Sequence, residues 1–204
     1  MAQPQQQLLP LTMKRLMADV KALQKDPPEF TDAFPDESNM LIWYFGIRGT
    51  DDYAGGFYIG KIIHDKEYPL KPPDFQFLTP SGRYEINKNI CTTFTRFHPD
   101  QWSAIWNIKS LLDGILTNMN DNGDIDGSQL GQIKTSKEER MMLAKESIAY
   151  NMKHHKSIFL NFTRFVNSDG TLKTDEEVKM TLKKEKKKKS KDGEKKEDGE
   201  KKDE

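Results

Sequence analysis

The sequence predicts an α+β fold, with helices set apart from an antiparallel sheet. Apolar residues recur at spacings of three and four near the start of the chain and again after residue 105. Between those stretches lie short apolar and aromatic runs separated by only nine and eleven residues. Such gaps are too short for helical crossovers, so they favour an antiparallel meander. Residues 79–103 then interrupt the regular pattern with polar, proline-bearing sequence. An irregular stretch of that length inside a compact domain is uncommon and often functional.

The elements follow in order. Pro10 suits the first turn of a helix, where its missing N–H costs nothing. Met13, Leu16, Met17, Val20 and Leu23 give that helix one apolar face, which Lys14, Arg15, Lys21 and Lys25 largely avoid. Asp26-Pro27-Pro28 ends it, because the residue before proline is pushed out of the helical region. Residues 40–47, 57–63 and 75–78 read as strands, with turn chemistry at Gly49-Thr50-Asp51-Asp52 and Gly55-Gly56. Ile105, Ile108, Leu111, Leu112, Ile115, Leu116 and Met119 predict a helix over 105–119, largely buried. A polar loop, Asn120 to Gly127, follows. Ser136 with Glu139 is a capping-box pattern that starts a helix running to about residue 155, with 165 as its outer limit.

At 204 residues the chain fits one domain with appendages. The expected organisation is a flexible lead over 1–9, a domain over 10–165, a linker over 166–182 and a charged tail over 183–204. The tail holds eleven Lys and eight Asp or Glu with no aromatic or aliphatic residue, so it cannot offset its ordering entropy by burial. Its formal charge of +3 leaves −3 on the rest of a chain whose net charge is zero. A weakly acidic body is a poor nucleic-acid binder, so no nucleic-acid partner is expected. The start of the chain lacks the features of a signal peptide, and no run reaches a membrane span.

Cys91 is the only cysteine, so it forms no intrachain disulfide and fits a reducing compartment. Taken bare, a lone cysteine is more often a small buried hydrophobe than a reactive group. Its surroundings argue for reactivity. Tyr68-Pro69-Leu70-Lys71-Pro72-Pro73 and Thr79-Pro80-Ser81-Gly82-Arg83-Tyr84 precede it, and His98-Pro99-Asp100-Gln101-Trp102 follows. With Lys14-Arg15-Leu16-Met17, Ile90-Cys91 and Glu138-Glu139-Arg140, these motifs resemble the catalytic domain of ubiquitin-conjugating enzymes. More closely, they resemble the J-type, endoplasmic-reticulum-associated branch. The likeness covers Lys14 to about Leu160.

The resemblance implies a UBC fold: an N-terminal helix, a four-stranded antiparallel meander, an irregular active-site segment, a core helix and a C-terminal helix. It implies that Cys91 takes ubiquitin, or a similar modifier, from an activating enzyme as a thioester and passes it to an amine or hydroxyl. Thiolate is the attacking form, and no triad histidine is required. Most of the family supplies an oxyanion donor from a His-Pro-Asn tripeptide; here Thr79-Pro80-Ser81 stands at the comparable place. Ser81, Asn87 and Asn89 are the candidates to replace that donor, set against plain turn roles. His98 is a candidate base for the acceptor, against a structural His-Pro turn. Asp121, Asp124 and Asp126 are candidates for the acidic residue of the loop after the core helix, against a solvated turn. Ligase docking is expected on Lys14, Arg15, Leu70, Ser103 and Ala104, although relatives usually carry proline at the last position.

The implied partners are ubiquitin, an activating enzyme that consumes ATP, a RING-type ligase and a substrate protein. No tightly bound cofactor is implied. His154-His155 is not metal spacing, and a zinc site is not supported. J-type relatives commonly end in a membrane span, whereas this sequence ends in the charged tail. The expectation is therefore a soluble cytoplasmic or nuclear protein that meets the endoplasmic reticulum only through partners. A non-catalytic scaffold on the same fold is the alternative reading.

Overall fold

The computed structural model describes residues 9–121, 127 and 129–183. Most of the expected lead and almost all of the charged tail lie outside the described residues. Contacts divide the chain into two compact units, one ending at Ile158 and one beginning at Phe159.

The first unit opens with α1, Pro10–Lys25, and Pro10 sits in its first turn as expected. Four strands follow: β1 Thr31–Pro35, β2 Ile42–Arg48, β3 Phe57–Ile63 and β4 Asp74–Phe77. They form one antiparallel sheet in sequence order, so every neighbour is reached by a short connection. Trp43, Phe45 and Ile47 alternate along β2 and are fully buried, together with Tyr58 and Ile62 on β3. Phe45 meets Phe75 and Phe77 of β4 with ring centroids 5.7 and 5.3 Å apart. Against these side chains pack Leu111, Leu112, Ile115 and Met119 of α2, Ile108–Asn120. Sheet and helix together enclose one core.

Two expectations for the helices are corrected. The buried face of α1 is Thr12, Leu16, Asp19 and Leu23, whereas Met17 is 45% exposed. The face is rotated because polar partners await it. The Thr12 hydroxyl donates to the Lys66 carbonyl at 2.7 Å, and Asp19 accepts from the Tyr68 hydroxyl at 3.0 Å. Second, α2 does not begin at Ile105, which is 88% exposed. Asn107 caps the helix by accepting the Ser110 N–H at 3.0 Å, and Ile105 lies in the preceding turn.

Ser136 caps α3, Lys137–His154, by accepting the Glu139 N–H at 3.1 Å, as the sequence pattern predicts. A short α4, Lys156–Leu160, follows. On the inner side of α3, Ser147 and Asn151 are buried and bind the sheet. The Phe57 N–H donates to Ser147 Oγ at 3.0 Å, and Asn151 Nδ2 donates to the Phe57 carbonyl at 2.7 Å. These polar anchors explain why the helix has no continuous apolar stripe.

In the second unit, Val166 and Leu172 form an antiparallel bridge around a turn, and residues 175–183 are helical. This segment, expected as a linker, thus carries regular structure. Among the described residues no helix is long and apolar enough to cross a membrane.

Candidate active site

Cys91 is carried to its place by the edge of the sheet. Asn89 bridges to Gln76 of β4, and the Ile90 N–H donates to the Phe75 carbonyl at 3.0 Å. Ile90 is fully buried, which fixes the backbone while leaving Cys91 half-buried beside it. On its other side runs the segment after the core-helix loop. The Cys91 N–H donates to the Leu130 carbonyl at 3.0 Å, and the Glu85 N–H donates to the Gly131 carbonyl at 2.9 Å. Gly131 has φ of +79°, and a Cβ there would stand 2.7 Å from the Asn89 carbonyl oxygen. Only glycine suits both demands.

Beyond Cys91 the chain makes a tight loop and returns. Phe94 is buried and meets Phe75 edge to face, with centroids 5.5 Å apart. Gly114 of α2 leaves room for it, since a Cβ would lie 2.8 Å from the Phe94 ring. The return brings His98 Nε2 to 3.2 Å from Cys91 Sγ. A half-exposed thiol beside a half-exposed imidazole can exchange a proton within the pair. Cysteine and base stand seven positions apart, so the loop, not a repeat in the sequence, makes the pair.

The other sequence candidates divide. Ser81 is fully buried, and its Oγ accepts the Arg83 and Tyr84 N–H groups at 3.2 and 3.4 Å, closing its own turn. Two residues earlier, Thr79 Oγ1 donates to Asn151 Oδ1 at 2.6 Å and accepts the Ile59 N–H at 2.9 Å. The Thr79-Pro80-Ser81 segment is therefore bolted to β3 and α3. Asn87 is exposed with φ of +60°, and its N–H donates to the Phe77 carbonyl at 2.8 Å. Its role there is a left-handed turn, which asparagine tolerates. Asn89 Oδ1 accepts from Gln76 Nε2 at 2.7 Å, so its amide is held at the sheet edge just before Cys91. Asp121 is exposed at the C-cap of α2, and its N–H donates to the Thr117 carbonyl at 2.9 Å. Asp124 and Asp126 lie outside the described residues. Among the described residues no group of three or more His, Cys, Asp or Glu could hold a metal ion.

Two of the docking candidates, Arg15 and Ala104, are joined by a hydrogen bond. Arg15 reaches across from α1: Nη1 donates to the Ala104 carbonyl at 2.7 Å and Nη2 to the Trp106 carbonyl. Its Nε donates to Asp19 at 3.1 Å. Burial pushes the Asp19 carboxyl up, against the opposing pull of Arg15. Trp102 Nε1 donates to the Pro69 carbonyl at 2.8 Å and so fastens the Leu70 turn to the same loop. Lys14, Leu70 and Ala104 are exposed, Leu70 by 63%. Arg15 is thus a strut that shapes this surface, and the sequence did not foretell the bonds that make it one.

Residues 15–150 match the family model described as ubiquitin-conjugating enzyme. The chain belongs to the ubiquitin-conjugating enzyme family. It is 39% identical over 142 residues to human ubiquitin-conjugating enzyme E2 J2, an overlap of 69% of this chain and 53% of that protein. It is 40% identical over 143 residues to probable ubiquitin-conjugating enzyme E2 33 of Arabidopsis thaliana, covering 69% and 57%. Against ubiquitin-conjugating enzyme E2 6 of Schizosaccharomyces pombe it is 35% identical over 158 residues, covering 76% and 68%. The J-type likeness of the motifs agrees with these family members. The chain spans little more than half the length of the human and Arabidopsis relatives. A solved structure of human ubiquitin-conjugating enzyme E2 G1 superposes with a TM-score of 0.50 at 24% identity, covering 56% of this chain and 99% of that one, which supports the shared fold. Sequence reasoning named Cys91 as the candidate nucleophile but did not foresee Leu130, Gly131 or the loop that brings His98 to it.

Proposed function

We propose that the chain carries ubiquitin as a thioester on Cys91 and transfers it to a substrate amine or hydroxyl, with His98 moving the proton. The observation that carries this is the 3.2 Å approach of His98 Nε2 to Cys91 Sγ, on a family scaffold.

The pair serves both halves of the reaction. During loading, the Cys91 thiol gives its proton to Nε2, and the thiolate attacks the thioester carbonyl carbon on the activating enzyme. A new C–S bond forms, the activating enzyme's thiolate leaves, and the imidazolium gives its proton to that leaving sulfur, so Nε2 returns to its neutral form. During transfer, Sγ is acylated and Nε2 is free to accept the proton of the incoming amine or hydroxyl as it attacks. The C–S bond then breaks, and the leaving Cys91 thiolate recovers that proton from the imidazolium beside it. A positioned base is worth roughly 10²–10⁴ in rate. The Cys91 N–H is engaged by the Leu130 carbonyl, so the oxyanion donor is sought elsewhere. Asn89, held by Gln76 two residues before the sulfur, is the favoured choice. Ubiquitin, a ubiquitin-activating enzyme that consumes ATP, and a RING-type ligase are the partners this reading requires. The ligase would dock on the exposed Lys14, Leu70 and Ala104 surface.

The test is single-turnover discharge of purified, loaded protein onto free lysine and free serine. His98→Gln should slow discharge about 100-fold or more for at least one acceptor. Wild-type discharge onto both acceptors in His98→Gln would remove the base role. A wild type that never loads would leave the scaffold reading in its place.

A further inference from the structure

Six residues separate Cys91 from His98, and their conformation decides whether the imidazole meets the sulfur. Thr95 sits at the middle of this loop and is fully buried. Its Oγ1 accepts the Thr92 N–H at 3.1 Å and donates to the Thr92 carbonyl at 2.9 Å. Its backbone N–H also donates to that carbonyl at 3.1 Å, and its own carbonyl accepts the His98 N–H at 3.0 Å. One residue therefore holds both ends of the turn, the end leaving Cys91 and the end delivering His98.

The next residue ties the loop to the sheet. Arg96 Nε donates to Asp74 Oδ1 at 2.5 Å, and Arg96 Nη2 pairs with Asp74 Oδ2. The carboxylate is the buried half of the pair, 2% exposed against 59% for the guanidinium. Asp74 opens β4, the strand against which Asn89 and Ile90 pair. A bidentate fork of this kind fixes orientation as well as distance. Cysteine and histidine are thus referred to the same strand by two separate routes.

We propose that Thr95 and the Arg96–Asp74 pair are positioning residues for the proton transfer at Cys91, an inference that rests on His98 acting as the base. Neither touches the reacting atoms. The Thr95 hydroxyl sets the pitch of the loop, and the ion pair sets its distance from the sheet. An effective base must stand within hydrogen-bond reach of its proton, and a misplacement of about 1 Å can cost about 100-fold in rate. A role in packing alone would lower stability without touching the proton step.

The experiment follows discharge of the purified thioester, normalised to loaded protein, between about pH 6 and about pH 8, where histidine bases change state. Thr95→Val, which keeps the volume and drops the hydroxyl, should slow discharge tenfold or more. It should also flatten the pH profile toward that of His98→Gln. Thr95→Ser should restore rate and profile, and Thr95→Val added to His98→Gln should slow discharge no further. If Thr95→Val fails to fold, seen as lost near-ultraviolet circular dichroism, the paired exchange Asp74→Asn with Arg96→Gln carries the test. That exchange leaves no unpaired charge and should give the same loss and the same flattening. A slow His98→Gln beside wild-type rate and profile in every foldable positioning variant would overturn the inference. A wild-type His98→Gln would instead overturn the reading on which it rests.

Discussion

At the scale of single residues the proposed chemistry rests on Cys91, and its neighbours explain how it is presented. Ile90 is buried and Cys91 is half out, an alternation that follows from the sheet-edge pairing. Cys91 stood out in the sequence as a candidate because motifs on both sides frame it. Its partnership with His98 did not, because it depends on hydrogen bonds inside a loop that carries no periodicity. Ser81 shows the converse: it reads as a possible donor, yet its oxygen is spent on the backbone of Arg83 and Tyr84. Gly131 is a residue-scale prediction. Gly131→Ala forces a side chain into a left-handed backbone and against the Asn89 carbonyl. It should cost about 1–2 kcal/mol or more of stability, read from denaturant midpoints, and slow loading on Cys91. Unchanged midpoint and loading would show that the segment beside Cys91 tolerates displacement.

At the scale of elements β2, β3, β4 and the body of the core helix were readable from their apolar pattern, whereas β1, Thr31–Pro35, was not read from its residues. The misreadings arose where polar groups won. The α1 face turned toward Thr12 and Asp19 because Lys66 and Tyr68 bind them from the following segment. In the second unit, Thr174 and Glu177 exchange hydrogen bonds at 2.7 and 3.3 Å and start the 175–183 helix. That is a second capping box, visible as Thr-x-x-Glu but overshadowed by the charge around it. The connection from β3 to β4 yields a pH prediction. His64 is 3% exposed, lies edge-on to Trp43 and Tyr68, and its Nδ1 bonds the Leu41 carbonyl at 3.1 Å. Its Nε2 has no hydrogen-bond partner among the described residues. Burial holds its pKa down at about 4 against an ordinary 6.5, with Arg15 adding a smaller push in the same direction. Below pH 6.5 the unfolded chain therefore binds a proton that the folded chain refuses. Stability from this residue is complete above about 6.5 and is lost as pH falls toward about 4. The loss approaches about 3 kcal/mol by linkage. His64→Phe keeps the ring packing and should flatten that acid limb in urea titrations. An equally steep limb in the variant would assign the acid sensitivity to other groups.

At the scale of the whole molecule, the family was legible because motif order along the chain matches the order of elements that build the site. Strand order follows sequence order, so motifs far apart in the chain reach Cys91 through the sheet edge and the core helix. The segment at 166–183 was harder to read, because its order comes from a turn and a cap rather than a long apolar face. The loop beyond Asp121, with Asp124 and Asp126, keeps its place as a proposal about acceptor activation.

The most direct measurement is the intact mass of the full chain after incubation with activating enzyme, ATP and ubiquitin. A thioester on Cys91 predicts one added ubiquitin, released by a thiol reductant and absent in Cys91→Ala. An unmodified wild type with ubiquitin and every ubiquitin-like modifier tried, or an adduct that survives both reductant and Cys91→Ala, would contradict it.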